Sequence, residues 1–343
     1  MKTVKIGDKV IGGDNPCYII AEAGSNHNGS FEQAKKLIDA AVEAGADAVK
    51  FQIFKAENLY SKYTPEFSYL KGENVYELIK NIETPREWIK ELIKHCKGKN
   101  IDFLASAFDF EAVDLLDKYV PAFKIASFEI TDLELIKYAA EKGKPMIIST
   151  GMANLSEIED AINAIKSVGN ENIILLHCNS LYPTPVEIVN LRAIETMKNA
   201  FKLPVGFSDH TLGIHIPIAA VAMGACMIEK HFTLDRSLPG PDHSFALEPD
   251  ELNAMVRCIR EVEKVKGNGI KEKSELESEE MYVKARRSIH AKVDIPKGTK
   301  ITRDMLIIKR PGYGIKPKFI DIVVGREAKK DIKEDEWITW DMV

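Results

Sequence analysis

Eight apolar β-type segments alternate with amphipathic helical segments along most of the chain, and this alternation limits the fold more than any other feature. The predicted strands are CYIIAEAG (17–24), DAVKFQIF (47–54), IDFLASAF (101–108), AFKIAS (122–127), PMIISTG (145–151), NIILLHC (172–178), PVGFSDH (204–210) and MIEKHF (227–232). The helical patterns at 30–45 and 155–169 each open on a serine, Ser30 and Ser156, that is expected to cap the helix, and each ends at a glycine. Eight such units closed by a helix near 249–267 predict an α/β fold, a (β/α)8 TIM barrel over residues 1–267.

The main alternative is a doubly wound parallel sheet. Such a sheet is expected to carry a glycine-rich GxGxxG turn after its first strand. Here that turn is AEAGSNHNGS, which does not match. The barrel is therefore the predicted fold.

The sequence changes character after Gly267. Residues 268–284 are highly charged and are predicted to form an exposed linker. Residues 285–343 combine short β-like pieces with turn signals such as PKG and RPGYG, and no long helical pattern occurs there. They predict a small appended β-rich domain.

The overall charge and the cysteines limit the classes of function and the compartment. A net charge of −5 gives no general attraction for nucleic acid or for an anionic membrane. The most apolar run, 214–228, contains a histidine and a proline and is too short to span a bilayer. The five cysteines are odd in number and lack CxxC spacing, which indicates reduced thiols in a cytoplasmic protein.

Polar residues fall at the carboxyl end of every predicted strand, where barrel enzymes place their chemistry. A single lysine in an apolar strand is usually a rim residue. Lys50 and Lys124, however, lie in strands that a barrel buries on both sides, where an unpaired ammonium is costly. Together with the nearby serines Ser106, Ser127, Ser149 and Ser208, they predict a site for an anion such as phosphate.

Three glutamates and two histidines complete the set of strand-end candidates. Glu22, Glu129 and Glu229 could form rim salt bridges, or could accept sugar hydroxyls and supply one acid or base. His210 and His231 end neighbouring strands, and they could be structural or could bind a divalent ion that uses water and substrate oxygens as further ligands. His215 is expected to be structural, whereas His27 and His243 lie in loops where they could contact a substrate.

Several motifs together resemble the sialic acid synthase family. These are IAEAGSNHNGS, GADAVKFQIFKAENL, PAFKIASFEITDL, IISTGMA, LLHCNSLYPTP, VGFSDHTLG, IEKHFTLDR, GPDHSFALEP and KRPGYG, which cover nearly the whole chain in order. Members of that family condense phosphoenolpyruvate with an N-acyl hexosamine to form nonulosonic acids. Their tail is an antifreeze-like (SAF) domain, and they usually form domain-swapped homodimers. The resemblance therefore implies a SAF domain for residues 285–343 and a domain-swapped homodimer for this chain.

The resemblance also implies a role for each candidate. His210 and His231 would hold a divalent ion, Mn²⁺ or alternatively Mg²⁺ or Co²⁺. The residues implied for phosphoenolpyruvate are Lys50, Ser106, Lys124, Ser127, Ser149, Ser180 and Ser208. The residues implied for the sugar are Glu22, Gln52, Tyr182, Asp242 and, from a partner chain, Arg310, and the acid–base candidates are Glu22, Glu129 and Glu229. Two positions depart from the family: Ser106 replaces a usual threonine, and Ser180 stands where some relatives have asparagine.

The sugar and the reaction class stay open at this point. The main prediction is N-acetylmannosamine, with 2,4-diacetamido-2,4,6-trideoxyhexoses for legionaminic or pseudaminic acid as alternatives. A more distant alternative is a synthase that acts on a sugar phosphate. A catalytically inactive barrel that carries an ice- or glycan-binding tail is the alternative outside enzymes, and the intact strand-end lysines, glutamates and histidines argue against it.

Overall fold

The computed structural model describes residues 2–65, 74–277 and 279–343. The chain forms two compact units, of which the first ends at Gly267 and the second comprises Asn268–Val343. Among the described residues, no helix has both the length and the apolar content needed to cross a membrane.

The first unit is a closed eight-stranded parallel barrel preceded by a hairpin. The hairpin strands are β1 (Val4–Ile6) and β2 (Lys9–Ile11), which the sequence patterns did not predict. The barrel strands are β3 (Tyr18–Gly24), β4 (Ala48–Ile53), β5 (Asp102–Ala107), β6 (Phe123–Ile125), β7 (Met146–Ser149), β8 (Ile173–Cys178), β9 (Val205–Asp209) and β10 (Met227–His231). Each strand pairs with its neighbours in chain order, and β10 closes the barrel against β3. The predicted (β/α)8 fold is confirmed.

Helices surround the barrel and connect its strands. They are α1 (Phe31–Glu43), α2 (Ala56–Leu59), α3 (Val75–Asn81), α4 (Ile89–Lys99), α5 (Phe110–Asp117), α6 (Leu133–Glu141), α7 (Leu155–Ser167), α8 (Arg192–Phe201), α9 (His215–Ala222) and α10 (Pro249–Val265). Ser30 caps α1 as predicted. The cap predicted for α7 is wrong, because Asn154 accepts hydrogen bonds from the N–H groups of Ser156 and Glu157 in a capping box.

Strand alternation divides the barrel into an apolar half and a polar half. Tyr18, Ile20, Leu104 and other inward residues near the strand starts form one cluster with the hairpin. From the hairpin, Val4, Ile6 and Ile11 are fully buried in that cluster. The amino-terminal end of the barrel is therefore plugged with apolar side chains, and polar side chains are concentrated at the other end.

The second unit has its own small core. It contains α11 (Glu279–Lys284), β11 (Ser288–Ala291), β12 (Leu306–Lys309) and α12 (Ile320–Val323), and β11 pairs with β12 in antiparallel register. Residues 268–284, predicted as a linker, belong to this unit. All five cysteines of the chain are unpaired; the cytoplasmic location stays a prediction.

Candidate active site

The polar end of the barrel interior brings together most of the predicted site residues. The inward-facing members on the strands are Glu22, Lys50, Gln52, Ser106, Lys124, Ser149, Ser208 and Glu229. Lys50 and Lys124 are only 2% and 1% exposed. The alternative that they are rim lysines is therefore excluded.

The two lysines form ion pairs with two buried carboxylates, those of Glu22 and Glu229. Lys50 Nζ lies 2.7 Å from Glu22 Oε2 and 3.7 Å from Glu229 Oε1, and Lys124 Nζ lies 3.6 Å from the same Glu229 oxygen. Burial by itself raises the pKa of Glu229, but the two ammonium groups outweigh it and hold that pKa below its usual range. Burial lowers the pKa of Lys124. Glu229 is consequently an ionised counter-ion at neutral pH.

Side-chain hydroxyl groups lie close to the backbone of Gly151, just after β7. Ser127 Oγ lies 3.0 Å from Cys178 Sγ and accepts a 3.0 Å hydrogen bond from Gly151 N–H. A Cβ at position 151 would lie 2.8 Å from both of these side-chain atoms and closer still to Ser180 Oγ. The hydroxyls of Ser149 and Ser180 are buried and have no hydrogen-bond partner in the described protein. We refer to Gly151 and the side chains of Ser127, Ser149, Cys178 and Ser180 as the recess. Its hydroxyl donors are suited to an anion.

Two residues of this recess, Gly151 and Cys178, were not among the predicted site residues. Cys178 ends β8 and lies two positions after the inward-facing Leu176. Strand alternation therefore contained the signal that would have placed its side chain in the site.

Glu129 differs from Glu229 in its electrostatic surroundings. It ends a short 3₁₀ turn, Ser127–Glu129, that follows β6. Its Oε2 atom is buried without a hydrogen-bond partner among the described residues. Burial raises the pKa of this carboxyl to about 7, although the charge of Lys124 opposes the shift. Near neutral pH this group can therefore gain or lose a proton.

His210 and His231 lie next to each other at the ends of β9 and β10, with ring centroids 5.3 Å apart. His210 Nδ1 is 2.7 Å from the carbonyl oxygen of Asn179, which leaves Nε2 available as a ligand atom. Burial, followed by the neighbouring His231, lowers the pKa of His210 to about 3 and keeps its ring neutral. His231 Nδ1 lies 3.3 Å from Asp242 Oδ2. The Tyr182 ring is tilted by 42° relative to the His210 ring, with the two centroids 4.2 Å apart.

These histidines meet the chemical requirements of a divalent-ion site with open positions. A neutral imidazole oriented by a backbone carbonyl or a carboxylate is the usual form of a metal ligand. His210 is kept neutral, whereas burial lowers the pKa of His231 but the neighbouring Asp242 outweighs it and raises that pKa. Within the described ranges, no group of three or more His, Cys, Asp or Glu side chains is arranged to hold a metal ion. The binding of a divalent ion by His210 and His231 stays a prediction.

His27 and His243, predicted as loop residues that could contact substrate, both have hydrogen-bond partners within the protein. His27 is fully buried; its Nε2 lies 2.9 Å from Thr84 Oγ1 and its Nδ1 accepts from Gly29 N–H. His243 is also buried, between Thr233 Oγ1 at 2.6 Å and Asn28 Oδ1 at 3.0 Å. Both ring nitrogens of each histidine are thus occupied. Contact of either histidine with substrate stays a prediction.

The residues predicted for the sugar fall into two places. Gln52 Nε2 donates a 2.9 Å hydrogen bond to Glu22 Oε1. A Cβ on Gly24 would lie 3.1 to 3.4 Å from Asp242, Glu22 and Gln52, so these three side chains converge there. Arg310 belongs to the second unit, where its Nε donates to the Ala285 carbonyl at 2.6 Å. The binding roles of all these residues stay predictions.

The comparisons with known proteins all indicate the same protein family. The NeuB family model matches residues 37–271, and the SAF domain model matches residues 286–343. An N,N'-diacetyllegionaminic acid synthase from Campylobacter jejuni is 48% identical over 93% of this chain and 98% of its own length. A pseudaminic acid synthase from the same organism is 38% identical over 93% of this chain and 94% of its own. The crystal structure of an N-acetylneuraminic acid (sialic acid) synthetase from Leptospira borgpetersenii, in complex with citrate, has a TM-score of 0.73 and 39% identity over 82% of this chain and 95% of its own.

Proposed function

The chain belongs to the NeuB family and ends in a SAF domain, and from this premise we propose that it condenses phosphoenolpyruvate with an open-chain N-acylated hexosamine. The observation that carries the proposal is the pair of buried lysines, Lys50 and Lys124, beside the hydroxyl-lined recess at Gly151. A small trianion such as phosphoenolpyruvate needs both features: cationic charge for its phosphate and carboxylate, and directed donors for its oxygens.

The reaction joins C3 of phosphoenolpyruvate to the aldehyde carbon of the sugar, and the aldehyde oxygen takes up a proton. This leaves an oxocarbenium ion at C2. Water adds to C2, and the resulting tetrahedral intermediate breaks its C2–O bond and releases phosphate. In our proposal Lys50, Lys124 and the serines of the recess hold phosphoenolpyruvate in place throughout, which keeps C3 close to the aldehyde.

Glu129 is the proposed proton acceptor for the attacking water. A general base works best when its pKa lies near the working pH, and the pKa of Glu129 is raised to about 7. Glu229 is a weaker base because Lys50 and Lys124 hold its pKa below its usual range, so it takes up a proton less readily. Glu229 instead balances the lysine charges, and Ser208 Oγ donates to it at 3.1 Å.

His210 and His231 would hold the divalent ion, for which Mn²⁺ is proposed and Mg²⁺ or Co²⁺ are alternatives. When bound, such an ion polarises the aldehyde oxygen of the sugar. Gln52, Asp242 and Tyr182 would bind the sugar hydroxyl and N-acyl groups next to it.

The proposed sugar is 2,4-diacetamido-2,4,6-trideoxymannose, which would give N,N'-diacetyllegionaminic acid. Support comes from the two Campylobacter jejuni synthases, because nearly equal lengths of this chain are 48% identical to the legionaminic and 38% identical to the pseudaminic enzyme. The sialic acid synthetase of known structure is 39% identical. N-acetylmannosamine is therefore the second candidate.

Phosphate release from phosphoenolpyruvate tests the reaction and the sugar together. The purified chain is incubated with Mn²⁺, phosphoenolpyruvate and one sugar: the diacetamido mannose, its altrose isomer, N-acetylmannosamine or arabinose 5-phosphate. The highest kcat/KM is expected with the first sugar. No phosphate with any acylamino sugar would contradict the synthase proposal, whereas a preference for arabinose 5-phosphate would indicate the sugar-phosphate class.

We also propose a homodimer in which Arg310 of one tail completes the sugar site of the other chain. Arg310→Ala is then expected to raise the KM of the sugar while that of phosphoenolpyruvate changes little. Two weakly active variants, Arg310→Ala and His210→Ala, should regain activity when they are unfolded and refolded together, because mixed dimers contain one intact site. Unchanged activity in the mixture would contradict an exchange of tails.

A further inference from the structure

Two charged side chains lie on the outer face of the barrel, next in sequence to the two histidines. Asp209 of β9 and Lys230 of β10 are 0% and 1% exposed. The other outward positions of these strands hold Val205, Phe207 and Ile228, which belong to the apolar core between the barrel and its helices. Charges in such a place are costly unless they are paired, and their presence there calls for an explanation beyond packing.

The two residues form one step of an alternating ladder between β9 and β10. Ser208 is opposite Glu229 and Asp209 is opposite Lys230 in the strand register. The first of these pairs faces the barrel interior, the second faces outward, and the histidines that follow face inward again. Asp209 and Lys230 therefore lie between two pairs of proposed active-site residues. These are Ser208 with Glu229 and His210 with His231.

The pair is tied to the backbone on both sides of His210. Lys230 Nζ donates to Asp209 Oδ2 at 2.6 Å and also to the carbonyl oxygen of Thr211. Asp209 in turn accepts from Thr211 N–H at 2.9 Å and from Thr211 Oγ1 at 3.1 Å. Residues 209 and 211, which flank His210, are thus fixed to residue 230, which precedes His231.

Stability alone does not account for this network. Replacing a buried ion pair by apolar residues of similar volume is often neutral or stabilising, so such a pair is weak evidence for a role in stability. A structural role in fixing geometry fits better, because every contact of the pair restrains the strand ends that carry His210 and His231.

We propose that Asp209 and Lys230 are positioning residues that set the separation and orientation of His210 and His231 for the divalent ion. The inference rests on the proposed function, in which those histidines hold the ion. Outer residues that orient metal ligands typically change metal affinity by about 10- to 100-fold when they are replaced. We expect a loss of that size here, although neither residue faces the barrel interior.

Mn²⁺ binding to the full chain, measured by the loss of the free-ion electron paramagnetic resonance signal, tests the proposal without any turnover. The variants are Lys230→Met and the double variant Asp209→Leu/Lys230→Met, which replaces both charges and leaves no buried charge unpaired. Both are expected to bind Mn²⁺ about 10- to 100-fold more weakly than the wild type. Arg260→Met is the matched control, because it breaks another ion pair of the barrel, with Asp47 at 2.7 Å, at the start of β4. Its Mn²⁺ affinity should be unchanged.

His210→Ala separates failure of this inference from failure of the proposed metal site. If His210→Ala abolishes Mn²⁺ binding while a folded double variant binds as tightly as the wild type, the positioning role is overturned and the metal site is not. If His210→Ala binds Mn²⁺ normally, the metal site and the positioning role are both overturned. Phosphate release by the wild type remains a separate test of the reaction.

Discussion

Lys50 of β4 lies 2.7 Å from Glu22, its register partner on the adjacent strand β3, and both side chains are almost completely buried. Removing one member of a buried ion pair leaves the other charge uncompensated, which typically costs about 3–5 kcal/mol. Lys50→Met is therefore expected to lower the free energy of unfolding by roughly that amount and to abolish phosphate release. Urea denaturation followed by circular dichroism measures the first effect.

The double variant Lys50→Met/Glu22→Gln provides the control for that prediction. It removes both charges, so most of the lost stability should return while activity should not. A double variant as unstable as the single one would show that the pairing of these charges is not what stabilises the barrel mouth.

The pH dependence of the reaction should report on Glu129. Its pKa is raised to about 7 because the carboxyl is buried. The carboxyl is therefore protonated, and unable to accept a proton, at lower pH. The kcat/KM of the wild type is expected to rise with pH through about 7 and then level off. Glu129→Gln should remove this rising limb and lower kcat by roughly 10²- to 10⁴-fold.

Glu134→Gln, an exposed position in the first turn of α6, is the matched control and should keep the limb. A rising limb near pH 7 that survives in Glu129→Gln would assign the proton acceptor to another group. Glu229 is not expected to produce a limb there, because the lysines hold its pKa below its usual range.

The sequence predicted those parts of the site that follow from strand alternation. Lys50, Lys124 and Ser208 lie in regular strands whose burial was evident from their apolar neighbours, so their inward direction followed. His27 and His243 lie in loops, where direction depends on contacts such as that between His243 and Asn28, which are 215 residues apart. Contacts between residues so far apart in the chain cannot be predicted from a local sequence pattern.

The hairpin β1–β2 was missed for a related physical reason. Its strands have only three residues each, and Val10 faces solvent, so neither the period nor the length of a strand is visible in the sequence. Its apolar residues are ordered by the barrel interior that they plug. Packing between distant segments decides this element, and local propensity does not.

Glycine is expected to be required at position 151 because a side chain would not fit there. The backbone conformation at this position does not itself require glycine. A methyl group there would press on Ser127 Oγ and Cys178 Sγ at 2.8 Å. Gly151→Ala is expected to displace the hydroxyls of the recess and to lower kcat/KM for phosphoenolpyruvate by roughly 100-fold. Steady-state kinetics with phosphoenolpyruvate as the varied substrate measures the change.

Gly98→Ala is the matched control for that substitution. Gly98 lies in α4, and nothing lies within 4 Å of a Cβ built there. The control should keep full activity and gain about 0.4–1 kcal/mol of stability, because alanine loses less conformational entropy in a helix. Equal kinetics in the two variants would contradict the assignment of the recess to phosphoenolpyruvate.

Buried His27 should make the barrel sensitive to acid. Burial lowers its pKa to about 4, whereas the ring takes up a proton near pH 6.5 in the unfolded chain. Between these values the unfolded state binds more protons, so the stability present above pH 6.5 is lost as the pH falls towards 4. The contribution of one such histidine is about 1.4 kcal/mol per pH unit. His27→Gln should reduce the slope of unfolding free energy against pH by about that amount in this window and leave it unchanged above pH 7. Urea titrations in EDTA across pH 4.5–8 would measure both slopes, and parallel slopes in the acid range would mean that His27 is not kept neutral by burial.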